Sequence, residues 1–298
     1  MHRPAAFVGV ALACGVTVSG LGLRLEPADD VETTLRRVGA RVERYFARAQ
    51  SLICLETVLW QPLSYGLSPD GVGRTVESEL RLTWDPLSET TASVEAKILR
   101  QVLKINGRVP RRNDPNNCTT PEQNSTETQP LSMLLPQQRD DYRFSLVGTA
   151  VIDRRPAVIV DFVMAKRPTV SAQLAEGNQN CVSFTLDGGM RGRIWIDPDS
   201  YDVLRLDQRL TGWVDIVLPH VISRRSQSDG RWTMERWDTS IRFKPIAFTD
   251  PDETLILPVT VSSMRITRGS GTPRLRTTTS YSSYKRFLTG GRLAKEPS

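Results

Sequence analysis

Histidine and cysteine are scarce in this chain, and their scarcity excludes most familiar catalytic and metal centres. The 298 residues include two histidines and four cysteines. His2 lies at the extreme N-terminus, so a hydrolase triad in a processed chain would depend on His220 alone. His220 follows a proline in "VLPHVI", at a predicted strand edge, which favours an incidental histidine. The cysteines form no C-x-x-C pair and no zinc-like spacing.

The chain also lacks the motifs of nucleotide chemistry. No glycine-rich fingerprint follows a first predicted strand. The run "YSSYK", with Tyr281, Ser282 and Lys285, is similar to short-chain dehydrogenase and serine acyltransferase motifs. Tyr281 falls in a terminal alternating strand, however, so the run does not predict an enzyme. We expect no catalytic residue, no metal and no cofactor.

Basic residues are in excess but not clustered. The net charge is +6, and pairs such as Arg36 with Arg37 and Arg224 with Arg225 are separated by acids. A nucleic-acid surface would cluster them and interleave aromatic residues, which make up only 7% of the chain. We therefore expect a mildly cationic surface, no nucleic-acid partner, and at most weak peripheral attraction to anionic lipid headgroups.

The N-terminus resembles an export signal. His2 and Arg3 precede the uncharged run "PAAFVGVALACGVTVSGLGL", residues 4–23, and Val18, Ser19 and Gly20 offer a cleavage site after Gly20. We expect a signal peptide over residues 1–20, extending at most to 28, and a periplasmic or cell-envelope location. Two alternatives stay open: the run could span a bilayer as an anchor, or "ALAC" could direct lipidation at Cys14.

One amphipathic helix is predicted over Val31 to Ala49. Apolar residues recur with helical spacing at Val31, Leu35, Val38, Val42, Phe46 and Ala49. Asp29, followed by Glu32, forms a capping-box-like start. A helix with one apolar face must lie on another element.

Most of the remaining sequence predicts antiparallel strands. In "VESELRLTW", Val76 to Trp84, apolar and polar residues alternate, as in a half-buried strand. The other predicted strands are Ile53 to Trp60, Val94 to Leu103, Tyr142 to Val147, Ala157 to Met164, Arg193 to Asp197, Val203 to Leu210, Gly212 to Leu218, Trp232 to Phe243, Leu255 to Thr267 and Arg274 to Phe287. We predict a mainly β (α+β) fold, in which a curved antiparallel sheet forms a half-open barrel covered by the N-terminal helix and short loop helices.

Two polar segments interrupt the strands. Residues 110–138 are rich in Pro, Asn, Thr and Gln and predict a long loop with one short helix at Leu131 to Leu135. Within this loop, Asn117 and Asn124 lie in N-x-S/T patterns. Arg167 to Asn180 is a second polar insertion, which can fold as a helical turn. Since strands resume after both, we expect residues 29–298 to form a single domain.

The cysteines are compatible with an oxidising compartment. Cys54 lies in an apolar strand pattern and is predicted to be buried, whereas Cys118 and Cys181 lie in polar, loop-like sequence. We predict a disulfide between Cys118 and Cys181 that tethers two loops.

Aspartates are concentrated in "GRIWIDPDSYDVLRLD", at positions 197, 199, 202 and 207. A calcium loop would place oxygen ligands at nearly every second position, with a glycine at the bend and a closing glutamate. This stretch has Pro198, Ser200 and Tyr201 between its aspartates and no glutamate. Two strand-like runs joined by "PDSY" predict a β-hairpin whose aspartates cap the turn.

Several segments together resemble the outer-membrane lipoprotein-sorting superfamily, which includes LolA, LolB and RseB-type sensor domains. They are "RYFARAQSLICLETV", "VLKINGRVP", "GRIWIDPDSYDVLRLD" and the final "LPVTVSSMRITRGSGTPRLRTTTSYSSYKRF". The resemblance covers most of the chain after residue 28, but the loop "NCTTPEQNSTETQP" departs from the small carriers. It implies a half-barrel with a covering helix, no catalytic motif, and a lipid or acyl chain bound in an apolar cavity.

A curved sheet that is too wide to be filled by its own side chains can leave an apolar hollow, over which the helix acts as a lid. The candidate lining residues are inward positions of alternating strands: Leu80, Leu82, Trp84, Val160, Phe162, Ile194 and Ile196. Each could instead fill an ordinary core. We expect a monomeric carrier of a lipid or lipoprotein acyl chain; the alternative is a non-catalytic envelope sensor or scaffold with a protein partner. An unrecognised hydrolase would require polar groups clustered at the cavity mouth.

Overall fold

Alternating apolar and polar residues give this chain a sheet with one apolar face. The computed structural model describes residues 30–48, 51–84, 96–111, 114, 131–175, 178–226, 230–249 and 252–286. The helices in these ranges are α1 (Val31–Arg48), a 3-10 turn at Ser132–Leu134, α2 (Pro136–Arg139) and α3 (His220–Ser226). The strands are β1 (Ser51–Pro62), β2 (Arg74–Trp84), β3 (Ala96–Ile105), β4 (Tyr142–Ile152), β5 (Arg155–Met164), β6 (Thr169–Ala175), β7 (Asn178–Asp187), β8 (Met190–Ile196), β9 (Val203–Leu210), β10 (Val214–Val217), β11 (Arg231–Thr249), β12 (Asp252–Arg268) and β13 (Arg274–Arg286).

Eleven of these strands form one antiparallel sheet. Its order is β3-β2-β1-β13-β12-β11-β9-β8-β5-β4, with β10 beside β11, and β6 pairs with β7 in a separate two-stranded sheet. Within the described residues, β3 and β4 remain as edges, so the sheet does not close on itself. The predicted half-open barrel of antiparallel strands is confirmed.

The strand register aligns apolar side chains in a row across the sheet. Val160, Ile194, Leu206, Ile241 and Val261 lie opposite one another on successive strands. Beyond Val261 the row continues through Thr279, Val58, Val76 and Ile105. We call the side of the sheet that carries this row the inner face.

Helix α1 covers part of the inner face. Leu35, Val38, Val42 and Phe46 are each at most 5% exposed and belong to the same apolar cluster as the sheet residues. The helix begins at Val31, as predicted, and Asp30 caps it: the Thr33 N–H donates to Asp30 Oδ1 at 2.7 Å, whereas Asp29, the predicted cap, lies outside the described residues. The helix itself is confirmed.

The hairpin β6–β7 packs at the far end of the inner face, which corrects one expectation. The sequence around Arg167 to Asn180 predicts a polar insertion with a helical turn, but much of it is strand. Val170, Phe184 and Leu186 pack on a cluster that includes Met234 and Ile216. The polar residues of the hairpin face outward, because only one of its two sides packs against the sheet.

Of the predictions for two short segments, the strand edge at His220 is wrong and the helix at Leu131 to Leu135 is confirmed. His220 does not lie in a strand edge but begins α3, because the carbonyl of Pro219 accepts hydrogen bonds from the N–H groups of Ile222 and Ser223. The short helix predicted at Leu131 to Leu135 is present as the 3-10 turn. Among the described residues, no helix is long and apolar enough to cross a membrane.

Candidate functional site

The proposed cavity residues converge on the inner face. Leu80, Leu82, Val160, Phe162, Ile194 and Ile196 belong to one apolar cluster with α1, and none is more than 8% exposed. Trp84 ends β2, but its side chain lies outside the described residues. The structure therefore brings six of the seven together, covered by α1 and not lining an open hollow in this form.

A second apolar segment shares the cover with α1. Leu131, Met133, Leu134 and Leu135 are at most 6% exposed and pack in the same cluster. Arg139 joins this segment to the helix, because its Nη2 donates to the carbonyl oxygens of Leu35 at 2.9 Å and of Leu134 at 3.1 Å. We call α1 and residues 131–135 the cover.

Gly39 explains how closely the two parts of the cover approach. A Cβ added at this position would lie 2.9 Å from the carbonyl oxygen of Leu134 and 2.5 Å from Arg139 Nη2. Glycine inside a helix costs about 1 kcal/mol relative to alanine. The close approach of Leu134 explains why a glycine occupies this position in spite of that cost.

Polar contacts fasten one side of α1 to the turn between β8 and β9. Arg41 Nε donates to Asp202 Oδ1 at 2.5 Å, and its Nη2 to Asp202 Oδ2 at 3.3 Å. Arg37 donates to the hydroxyl of Tyr201 and lies over its ring at 5.1 Å. The Asp202 side chain is only 8% exposed, so its ion pair with Arg41 is partly shielded from water.

A small cleft lies beside these contacts. Its lining includes Arg41 and Tyr45 from α1, Asp202 from the turn and Leu255 from β12. Its volume is about 30 Å³, whereas pockets that enclose small-molecule ligands have roughly 300–1,000 Å³. The cleft could admit water but not an acyl chain.

A buried ion pair interrupts the apolar inner face. Arg100 Nε on β3 donates to Glu56 Oε2 on β1 at 2.8 Å, and Arg100 Nη2 to Glu56 Oε1 at 3.3 Å. The two side chains are 7% and 2% exposed, respectively. Ser78, directly opposite Glu56 on β2, is also buried. These groups form a polar island between the apolar cluster under α1 and that around Trp60.

Weakly acidic groups surround this island. Burial raises the pKa of the Cys54 thiol to about 12, with a further contribution from the Glu56 charge. Burial likewise raises the pKa of Tyr45 and of Tyr284, whose hydroxyl donates to the Pro258 carbonyl at 2.5 Å. All three groups are therefore neutral near pH 7, and Cys54 is a poor nucleophile there.

The aspartates of the β8–β9 hairpin cap a turn, as the sequence predicts. Asp197 Oδ1 accepts the N–H groups of Asp199 at 3.1 Å and Ser200 at 3.0 Å, and its Oδ2 pairs with Arg155. Burial alone would raise the pKa of Asp197, but these hydrogen bonds outweigh it and hold the pKa below its ordinary value. Within the described ranges, no group of three or more His, Cys, Asp or Glu side chains could hold a metal ion.

Of the two cysteines in the described ranges, one is disulfide-bonded and the other is a free thiol. Cys181 is disulfide-bonded and lies buried in β7, not in a loop. Its proposed partner, Cys118, lies outside the described residues, so that pairing stays a prediction. Cys54 is a buried free thiol, and its predicted burial is confirmed.

Sequence reasoning missed the charged residues of the inner face, although the strand pattern carried a signal for them. Side chains two residues apart in a strand point to the same face. Glu56 therefore lies on the same face of β1 as Cys54 and Val58, and Arg100 lies on the same face of β3 as Ile98. A charge at an inward position of each of two strands indicates a buried pair. The contacts of Arg41 with Asp202 had no comparable signal, because they join residues 161 positions apart.

Comparisons with known proteins give structural likenesses at low identity. No family model matches the chain, and no curated protein matches it. A putative outer membrane lipoprotein-sorting protein domain from Vibrio parahaemolyticus is 10% identical, with a TM-score of 0.38 over 87% of this chain and 94% of that one. A LolA superfamily protein from Nitrosomonas europaea is 7% identical, with a TM-score of 0.35 over 88% and 95%. A DUF1329 family protein from Desulfovibrio piger is 11% identical, with a TM-score of 0.41 over 88% and 95%.

Structures of the lipoprotein-sorting type named by the sequence resemblance are thus among those similar to this chain. Their TM-scores lie below 0.5, so these likenesses carry no argument about the function of this chain.

Proposed function

We propose that this chain is an exported, non-enzymatic envelope protein that binds a lipid or lipoprotein acyl chain against the inner face of its sheet. The observation that carries this proposal is the cover. One helix and a five-residue segment, instead of a second sheet, bury the apolar cluster that contains Val160, Ile194 and Leu206. In this proposal the cover moves aside and the ligand takes its place.

The free energy lost when α1 leaves the sheet is comparable to the free energy gained when a hydrocarbon takes its place. Each of Leu35, Val38, Val42 and Phe46 gains roughly 1.5–3 kcal/mol from burial. A guest hydrocarbon gains about 0.8 kcal/mol for each CH₂ removed from water, so a chain of about 16 carbons gains about 13 kcal/mol. A long acyl chain could therefore offset the displacement of α1 from the sheet.

The cover is held by contacts that can be broken separately from the sheet. Arg41 with Asp202 ties α1 to the turn between β8 and β9, whereas Arg139 joins the two parts of the cover to each other. The sheet keeps its own ladder of backbone hydrogen bonds when the cover moves. The cleft beside Arg41 lies where the cover meets the start of β12 and is a natural point for opening.

The test is to purify the mature chain without detergent, extract it with organic solvent and identify lipids by mass spectrometry. We expect acyl-chain lipids in stoichiometric amounts from the protein and not from an equally treated soluble control protein. A lipid-free extract, together with failure of the purified chain to bind a fluorescent fatty acid, would reject the proposal.

A second candidate function, a sensor or scaffold that holds a protein partner, is favoured by the edge strand β4. Leu146, Val147 and Val151 on this strand are 37%, 50% and 74% exposed, and Arg143 is its only charged residue. Such an edge can pair with an extended segment of another protein. Lipid-free protein that loses a partner when Val147→Lys is introduced would support this function instead.

A further inference from the structure

The Nε–H group of Arg74 is a buried donor without an acceptor among the described residues. Arg74 opens β2 on the inner face, with the same parity as Val76 and Leu80, and lies opposite Trp60 of β1. Its side chain is half-buried, and its Nε is buried without a hydrogen-bond partner among the described residues. Buried charged donors are almost always paired, so an orphaned guanidinium N–H indicates a missing acceptor.

Beyond Trp60, polar side chains continue across the inner face on β13, β12 and β11. Trp60 lies opposite Thr277 of β13, Thr277 opposite Ser263 of β12, and Ser263 opposite Thr239 of β11. The hydroxyl of Thr239 donates to that of Ser263 at 3.5 Å, and both Ser263 and Thr277 are half-buried. Neighbouring strands are about 4.8 Å apart, so these hydroxyls form a polar row that begins two strands, about 10 Å, from Arg74, with Trp60 between them.

The apolar floor begins directly beside this row. One pleat along β2 from Arg74 is Val76, and one pleat along β1 from Trp60 is Val58; both are 4% exposed. With Trp60 and Ile105 they form the second apolar cluster of the inner face, which ends at Ser78 and the ion pair of Glu56 with Arg100.

We propose that Arg74 binds the anionic head of an amphiphile, a carboxylate or phosphate, whose hydrocarbon lies over the apolar cluster of Val58, Val76 and Ile105. This inference rests on the proposed function and adds the ligand's charge and orientation. The guanidinium presents N–H groups in a fork that matches both oxyanions, and the acceptor it lacks would be the ligand oxygen.

The test uses the mature chain with cis-parinaric acid and its methyl ester, which share one hydrocarbon and differ in charge. We expect the acid to bind at least about tenfold more tightly than the ester, as one charge-assisted hydrogen bond provides. Arg74→Gln should abolish that preference, because the affinity for the acid falls much more than the affinity for the ester. Arg74→Lys, which keeps the charge but loses the fork, should retain only part of it.

Arg276→Gln is the matched control. Arg276 lies on β13 opposite Gln61 and Met264, on the other face of the sheet, and its replacement changes the net charge equally. We expect Arg276→Gln to keep the preference for the acid. Competition by lysophosphatidic acid against monoacylglycerol of equal chain length separates a phosphate head from a carboxylate head.

The outcomes distinguish this inference from the proposed function. If both probes bind the wild-type protein equally, or if the preference survives Arg74→Gln, the role of Arg74 is rejected and acyl-chain binding stands. If neither probe binds the wild-type protein, both proposals are rejected. If Arg74→Gln does not fold, Arg74→Lys and the difference between acid and ester in the wild-type protein decide.

Discussion

Glu56 and Arg100 show at the scale of single residues how the inner face tolerates charge. Burying two ions costs several kcal/mol each, and their attraction repays this only when the geometry is good. Here two N–H groups of Arg100 meet both oxygens of Glu56, at 2.8 and 3.3 Å. Formation of the pair is therefore close to neutral, whereas loss of one partner leaves a buried charge without compensation.

We predict that Glu56→Ala lowers the free energy of unfolding by about 3–5 kcal/mol, because Arg100 remains buried and unpaired. The double variant Glu56→Leu with Arg100→Met should recover most of this loss. Urea denaturation followed by tryptophan fluorescence measures both.

Glu79→Ala is the control for this prediction. Glu79 pairs with Arg81 on the outer face of β2, where the two side chains are 35% and 48% exposed. An exposed pair contributes about 0–1 kcal/mol. Equal losses for Glu56→Ala and Glu79→Ala would show that the inner pair is not shielded from water.

Cys54 provides a second prediction at this scale. Because burial raises the pKa of its thiol to about 12, almost no thiolate exists at pH 8, and the side chain is only 2% exposed. We expect iodoacetamide to leave Cys54 unmodified in the native protein at pH 8 and to label it in urea. Mass spectrometry of the peptide that contains Cys54 gives the readout. Rapid labelling of the native protein would mean that α1 does not cover β1 in solution.

At the scale of elements, the attachment of α1 decides whether the cover can move by itself. Arg41→Ala removes the ion pair to Asp202 and leaves that carboxylate, 8% exposed, without its partner. We predict that the amides of α1 exchange with deuterium about tenfold or more faster, since losing a partly shielded charged hydrogen bond costs about 1.5–3 kcal/mol. Amides of the central strands should exchange at the wild-type rate.

Arg36→Ala is the matched variant for this experiment. Arg36 is exposed on the same helix and donates to Thr33 at 3.4 Å, so its removal should leave α1 exchange unchanged. If Arg41→Ala accelerates exchange in α1 and in the central strands to the same extent, the helix and sheet open together and the cover is not an independent unit.

The elements also show how far the sequence predicts this fold. Helix α1 and strand β9 are predicted to within a residue, because their apolar periods are 3.6 and 2 and their ends carry clear turn chemistry. The hairpin β6–β7 is missed because its outward side is so polar that alternation at Val170, Ala172 and Leu174 is hidden. The helix at His220 is missed because seven residues give too little periodicity to distinguish helix from strand.

The candidate site is predicted to a smaller extent, and the reason is physical. Side-chain parity places Leu80, Val160 and Ile194 on one face, and the structure agrees. Parity does not say what lies above that face, because the cover is brought there by contacts such as Arg139 with Leu35, which are 104 residues apart. Whether a face holds a ligand or a helix depends on such long-range contacts.

At the scale of the whole molecule, the open sheet and its cover form a structure whose stability depends on groups at opposite ends of the pH range. Three aspartates titrate below their ordinary pKa of 3.8: Asp30 through the Thr33 N–H at the start of α1, Asp114 through Arg108, and Asp197 through the turn described above. A lowered folded-state pKa contributes stability above the unfolded value, and this is lost as the pH falls through the folded value. The pKa of Asp114 is lowered to about 2, so this carboxylate stays charged until the solution is strongly acidic.

The buried Cys54 thiol and the hydroxyls of Tyr45 and Tyr284 affect the stability of the protein at alkaline pH. Their pKa values are raised from ordinary values of 9.0 for Cys54 and 10.0 for Tyr45 and Tyr284. A raised folded-state pKa contributes stability that is fully present below the unfolded value and is lost as the pH rises above it, because only the unfolded chain ionises readily. The molecule should therefore have a stability plateau bounded by these two sets of groups.

We predict that the free energy of unfolding is nearly constant from about pH 5 to pH 8.5, then falls below about pH 4 and above about pH 9. Asp197→Asn tests the acid limb, because asparagine keeps an oxygen that accepts the Asp199 and Ser200 N–H groups but cannot be protonated. Asparagine removes one of the groups that take up a proton when the chain unfolds in acid, so this variant should have a shallower acid limb and an unchanged alkaline limb. Urea denaturation across the pH range measures both limbs. An acid limb with the wild-type slope would show that Asp197 has the same pKa in the folded and unfolded chains, and that its turn is not held by the charged carboxylate.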